Sequence, residues 1–102
     1  MIAERTFWSL RRLAQALGGG PSDERAITGV TTDTRAMVAG ACFVALRGDR
    51  FDAHDFLADA VKAGAAAVVV SDARRAAALG VPVFEVPDTL VALGALARYR
   101  RL

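Results

Sequence analysis

Two uninterrupted apolar runs, residues 41–46 (Ala-Cys-Phe-Val-Ala-Leu) and 66–70 (Ala-Ala-Val-Val-Val), constrain this chain most. A strand with one wet face alternates apolar and polar residues, whereas a run apolar at every position suits a strand covered on both sides. Such strands belong to parallel sheets, whose neighbours need crossover connections. The segment before them carries the helical period instead. Leu10, Leu13, Ala14 and Leu17 follow i, i+3, i+4, i+7 and predict an amphipathic helix over 7–17. Arg11, Arg12 and Gln15 take its wet face, and Gly18-Gly19-Gly20-Pro21 stops it.

The rest follows the same grammar. Residues 26–32 read as a first strand, ahead of the run at 41–46. Asp55 or a neighbour caps a helix to about Ala63, with Leu57, Ala60, Val61 and Gly64 on its apolar face. After 66–70, Ser71-Asp72 opens a helix over 73–79 that Gly80 closes. Residues 81–86 form a further strand with Pro82 near its start. Asp88-Thr89 caps a last helix to the chain end, with Leu90, Leu93 and Ala97 on one face. Strand and helix in alternation predict an α/β fold: one small domain, a mostly parallel sheet with helices on both faces, and an amphipathic helix in front.

At 102 residues, 54% hydrophobic and 24% charged, the chain can bury a core and is not of the disordered class. No apolar run nears the ~20 residues that span a bilayer, and Glu4 and Arg5 precede an amphipathic pattern, so neither an anchor nor a signal peptide is expected. The single cysteine, Cys42, lies inside an apolar run and reads as a small buried hydrophobe, compatible with a reducing cytoplasm. The net charge is only +2, and its cations, all arginine except Lys62, are dispersed. A nucleic-acid surface needs them clustered. Solvated helix faces account for most of them, with Arg47 and Arg50 as the exceptions.

Catalysis needs a nucleophile with its base, paired carboxylates, or metal ligands. His54 is the lone histidine. Asp49, Asp52 and Asp55 gather near one loop, but an EF-hand's glycine turn and terminal glutamate are missing. The triple glycine ends a helix and precedes no Gly-Lys-Ser/Thr, so it is not a phosphate loop. Catalytic residues, a metal and a cofactor are therefore not expected in this chain.

Binding is better supplied. Thr31-Thr32-Asp33-Thr34-Arg35 and Gly48-Asp49-Arg50-Phe51 follow two adjacent expected strands, where open α/β sheets bind ligands. Hydroxyls, backbone N–H groups and arginine suit a diphosphate, Gly48 permits close backbone approach, and Phe51 offers a flat face to a pyrimidine. Read as a plain turn, Asp33 bonds backbone amides and Arg35 pairs locally. His54 can cap backbone groups, bond the other loop, or touch a ligand.

These segments sit in longer stretches: Trp8-Ser9-Leu10, then Leu-Ala-Gln-Ala-Leu-Gly-Gly at 13–19; Thr32-Asp33-Thr34-Arg35; Gly-Ala-Cys-Phe-Val-Ala-Leu-Arg-Gly-Asp-Arg-Phe-Asp-Ala-His-Asp-Phe at 40–56; and Ala-Gly-Ala-Ala-Ala-Val-Val-Val at 63–70. Together they resemble the amino-terminal domain of the Mur ligases, ATP-dependent enzymes that extend the peptide on the UDP-linked muramoyl precursor of bacterial cell wall. The resemblance is strongest to members adding D-alanyl-D-alanine; those adding the third residue, a diamino acid, are the runner-up. It implies that residues 1–102 hold the UDP end of a UDP-linked muramoyl peptide. Thr32, Thr34, Asp49, Arg50 and Phe51 would contact the UDP moiety, and Asp33, Arg35, Gly48 and His54 would shape the loops. It further implies a cytoplasmic enzyme whose remaining domains, acting in cis, take ATP and Mg²⁺. Neither nucleic acid nor membrane would be a partner. The rival from another class is a stand-alone α/β interaction or signalling module, for which Lys62, mid-helix, is misplaced.

Overall fold

The computed structural model describes residues 7–101; Glu4 and Arg5 lie outside the described residues. Four short strands, β1 (Val30–Thr31), β2 (Cys42–Val44), β3 (Ala67–Val70) and β4 (Val83–Glu85), form one parallel sheet in the order β1-β2-β3-β4. Helix α1 (Leu10–Leu17) precedes the sheet, α2 (Leu57–Lys62) joins β2 to β3, and α3 (Thr89–Arg101) follows β4. Single 3₁₀ turns at Thr34–Ala36, Ala53–Phe56 and Ala73–Ala76 open the connections after β1, β2 and β3.

Period-two geometry sorts the strand side chains into two layers. Cys42, Val44, Ala67, Val69 and Phe84 join Leu10, Leu13, Ala92 and Leu96 under α1 and α3. Phe43, Ala45, Val68 and Val70 join Ala53, Leu57, Ala60 and Ala76 on the other side. Both long crossovers thus lie on one face, as a strand order that advances in one direction at constant handedness requires. The two-sided burial expected of the apolar runs is what is found, with every residue of β2 and β3 buried.

Helix α1 starts at Leu10, three residues later than expected, because Ser9 caps it: its Oγ accepts from the Arg12 amide at 3.1 Å. Arg12 leaves the wet face. Its Nη1 donates to the Phe7 carbonyl at 2.7 Å and its guanidinium lies 4.5 Å from the Phe7 ring centroid. Strand β1 is shorter than 26–32 because its first half pairs elsewhere: the Ile27 amide donates to the Trp8 carbonyl and the Thr28 amide to Gly40.

Two expectations fail. Residues 73–79 make one 3₁₀ turn and no α-helix. Too few residues follow Asp72 to offset helix nucleation, and the turn closes by i to i+3 bonds from Arg75 to Asp72 and from Leu79 to Ala76. In α3, capped as expected by Asp88 on the amides of Leu90 and Val91, the buried stripe is Thr89, Ala92 and Leu96. Leu90, expected inside, is 65% exposed. The helix is apolar on several sides, so docking against α1 and Phe84 chose the face.

The triple glycine does two separate jobs. Gly18 takes the left-handed conformation (φ 84°) and donates to the Ala14 carbonyl, a helix C-cap. Gly20, at φ 118°, passes so close to β4 that a Cβ there would sit 2.6 Å from Phe84 Cδ1. Gly20→Ala is therefore expected to cost about 2–3 kcal/mol through strain and overpacking. Gly29→Ala, where a Cβ meets nothing within 4 Å, should cost less than about 0.5 kcal/mol. Urea denaturation compares the two, and equal midpoints would disprove the contact with Phe84.

Candidate functional site

The carboxyl ends of β1 and β2 are neighbours, so the loops that leave them face one another. In the first loop Asp33 caps the 3₁₀ turn: Oδ1 accepts from the Arg35 amide at 2.8 Å. The Arg35 guanidinium returns to the same carboxylate, Nε to Oδ1 at 3.2 Å and Nη2 to Oδ2 at 3.1 Å. That side-chain bond, reinforced by the amide, holds the Asp33 carboxyl below its ordinary value. The Thr31 hydroxyl accepts from the Asp33 amide at 3.2 Å. Asp33 and Arg35 are thus occupied with each other. The half-buried Thr32 and Thr34 make no side-chain hydrogen bond within the described residues.

The second loop is a narrow turn. Arg47 and Asp52 form an antiparallel bridge, the Gly48 amide donates to Phe51 O at 2.6 Å, and the Ala53 amide donates to Leu46 O at 2.8 Å. Asp49 and Arg50 occupy its exposed tip. Phe51, 55% exposed, stacks on Phe56 with centroids 5.6 Å apart. A Cβ on Gly48 would meet only Phe51 O, at 3.8 Å. The fold itself does not require glycine there.

Between the loops lies a cavity of about 950 Å³. Thr32, Asp33, Thr34 and Arg35 form one wall, and Leu46, Arg47, Gly48 and Phe51 the other. Phe43, Ala53, Phe56 and Asp59 complete the lining. Of the residues singled out from sequence, the structure brings Thr32, Asp33, Thr34, Arg35, Gly48 and Phe51 together here. Asp49, Arg50 and His54 do not line it; Arg47, Phe56 and Asp59, which carried no site role in the resemblance, do.

His54 is buried and joins two loops. Its Nε2 accepts from the Ser71 amide at 3.0 Å, at the end of β3. The ring proton is therefore on Nδ1, which donates to Asp52 Oδ1 at 2.7 Å. The loop it bonds is the one after β3, not the loop at 31–35 expected from sequence. Asp52 also caps its own turn, accepting from the His54 amide at 2.9 Å, while Arg75 Nη1 donates to its Oδ2 at 2.8 Å. Partial burial pushes the Asp52 carboxyl up, but the bonds from His54 and Arg75 outweigh it and bring the pKa to about 2. Arg75 Nη2 also donates to Asp55 Oδ1. The sequence reading put Arg75 on a solvated helix face; instead, the 3₁₀ turn aims it back across the second loop. Asp52 and Asp55 share this arginine, and no group of three His, Cys, Asp or Glu among the described residues could hold a metal. Burial pushes the Cys42 thiol up to about 12, which makes it inert as a nucleophile.

Hydroxyls, a cation and stacked aromatics around one cavity suit an anion that carries a flat ring. Residues 26–101 match the family model described as "Mur ligase family, catalytic domain". Over 72 residues, 71% of the chain, the sequence is 49% identical to the UDP-N-acetylmuramoyl-tripeptide–D-alanyl-D-alanine ligase of Escherichia coli. It is 42% identical over 80 residues to the UDP-N-acetylmuramoyl-L-alanyl-D-glutamate–2,6-diaminopimelate ligase of Chlorobaculum tepidum. A crystal structure of MurF from Acinetobacter baumannii superposes on 92% of the chain with a TM-score of 0.80 at 35% identity. The chain spans only 15%, 16% and 21% of these three proteins, respectively.

The Asp52 network has a pH signature. Its carboxyl titrates near 2 when folded, against an ordinary 3.8, so its stabilisation is present above about pH 4 and lost as pH falls through about 2. Asp52→Asn should flatten the fall in stability between those values by about 1 kcal/mol after solvent screening. Chemical denaturation at stepped pH measures it, and parallel curves for the two proteins would contradict the assignment.

Proposed function

Because the chain belongs to the Mur ligase family, whose model its residues 26–101 match, we propose that the cavity between its two strand-end loops holds the UDP end of a UDP-linked muramoyl peptide. The observation carrying this reading is the convergence of Thr32, Thr34, Arg47, Gly48 and Phe51 on one cavity. A diphosphate is bound by hydroxyl and amide donors and a cation, and a uracil by stacking on an aromatic face. Thr32 and Thr34 have hydroxyls to give, and Phe51 presents an exposed ring already backed by Phe56. Asp49 and Arg50, at the loop tip, would reach the ligand from the rim. Asp33, Arg35 and His54 keep the two loops in shape, and Gly48 leaves room for close approach to the backbone.

In this reading the domain performs no chemistry itself. It anchors the nucleotide end of a long substrate while the other domains of the ligase, in cis, bring ATP and Mg²⁺ to the peptide end. The residues here do not fit that pair. Of the three successive glycines, Gly18 ends a helix and Gly20 packs against Phe84, and no carboxylate cluster among the described residues suits a metal. We assign the ligase to the type adding D-alanyl-D-alanine, on the 49% identity to such an enzyme. The 42% identity to a 2,6-diaminopimelate ligase supports the third-residue type as the second reading, with the same domain in the same role.

Titration of the ¹⁵N-labelled chain with UDP is expected to shift amides of residues 31–35 and 46–54, while ATP at equal concentration shifts none. Thr34→Ala and Phe51→Ala should each weaken UDP about tenfold, as loss of one polar or stacking contact does. Equal response to ATP, or shifts confined to other parts of the chain, would count against the reading.

A further inference from the structure

Among the described residues, two arginines line the cavity, Arg35 and Arg47, and their electrostatic situations differ. Arg35 is bound to Asp33 through both Nε and Nη2, at 3.2 and 3.1 Å. Arg47 also has a carboxylate beside it, but its Nε stops 3.6 Å from Asp52 Oδ2, beyond a hydrogen bond. Three N–H donors already hold Asp52. Oδ1 takes the amide and ring N–H of His54, and Oδ2 takes Arg75 Nη1 at 2.8 Å. Arg75 thereby fills the place that Arg47 would otherwise take. It reaches there from outside the cavity, on the turn after β3, and a second bond to Asp55 fixes its plane.

We propose that Arg47 is the cation that binds the nucleotide's diphosphate, and that Arg75 is a positioning residue which keeps it available by occupying Asp52 Oδ2. The inference rests on the UDP reading of the cavity. Without Arg75, Asp52 remains an ionised carboxylate with one cation in reach, and Arg47 collapses onto it as Arg35 does onto Asp33. A ligand phosphate would then have to break a charge-assisted pair before forming its own. With Arg75 present, that pair is made in advance by an arginine that never meets the ligand. The Asp52 carboxyl, held near 2, stays ionised and keeps Arg75 in place at any physiological pH.

A double-mutant cycle on UDP affinity separates positioning from plain stabilisation. Arg47→Ala should weaken UDP about tenfold and Arg75→Gln about fivefold, yet Arg75→Gln should add nothing in the Arg47→Ala background. Asp52→Asn should restore affinity to the Arg75→Gln protein, because the charge that captures Arg47 is gone. Uridine, which lacks phosphates, should bind all these variants equally. Arg75→Lys keeps a cation on Asp52 and should stay within about twofold of wild type; it serves if Arg75→Gln fails to fold. Additive losses, no rescue by Asp52→Asn, a weakened Arg75→Lys, or equal weakening of uridine and UDP would overturn this inference while leaving the UDP reading intact. Binding of pyrophosphate through Arg47 without uridine binding would uphold the inference and sink the uracil half of that reading. A wild-type chain that binds neither UDP nor pyrophosphate would overturn both.

Discussion

Everything in this domain depends on a sheet that is dry on both faces. Four strands of two to four residues cannot cover themselves, so each face must carry its own layer: α1 and α3 on one, α2 and the 3₁₀ turns on the other. Both layers are apolar, and successive residues of a strand alternate between them. Cys42 and Ala67 are register partners on the α1 side, while their successors Phe43 and Val68 are partners on the α2 side. Burying Phe43, Phe84 and the valines contributes roughly 1.5–3 kcal/mol per side chain. With both faces committed to packing, polar chemistry has only the strand ends left to it.

One local device recurs in the connections. In Asp23-Glu24-Arg25, Asp33-Thr34-Arg35, Asp52-Ala53-His54 and Asp72-Ala73-Arg74 the carboxylate accepts from the amide two residues on, at 2.8 to 3.0 Å. In each it also pairs with the cation or imidazole of that residue. Exposed ion pairs of this sort contribute little to stability. Their effect is geometric: each closes a turn, and those at Asp33 and Asp72 do so two residues after β1 and β3. The Asp52 turn differs because its partner is a histidine, whose second ring nitrogen takes the Ser71 amide. An arginine there could only donate. The imidazole lets the end of β3 hold the loop after β2, and Arg75 strengthens the same link from the neighbouring turn.

What could be read in advance follows from which signals are local. Helix α1, β2 and β3 were legible because each is uniform in period and carries its own stop signals. The two loops that line the cavity were legible as loops because hydroxyls, glycine and an exposed aromatic at strand ends have little use in packing. Arg47 stood out beside the second loop, but Arg75 was harder. It is one arginine in a chain rich in them, and only its pairing with Asp52, 23 positions away, gives it a role. Helix α3 was misread in phase because Leu90, Leu93 and Ala97 and the observed Thr89, Ala92 and Leu96 are both helical stripes. The turn at 73–76 was misread in kind because cap and glycine signals mark where a segment begins and ends, not which helix fills it.

The sequence by itself determined the α/β class, the two-sided sheet, the single domain and the position of the two loops after β1 and β2, since all are consequences of nearest-neighbour periodicity and backbone chemistry. Tertiary structure decided which side of α3 is buried, which of several arginines faces the cavity, and how His54 is used. Those are choices among alternatives of nearly equal local energy. Contacts between residues far apart in the chain separate them, because only there does one packing fill space and satisfy a buried ring while the others do not.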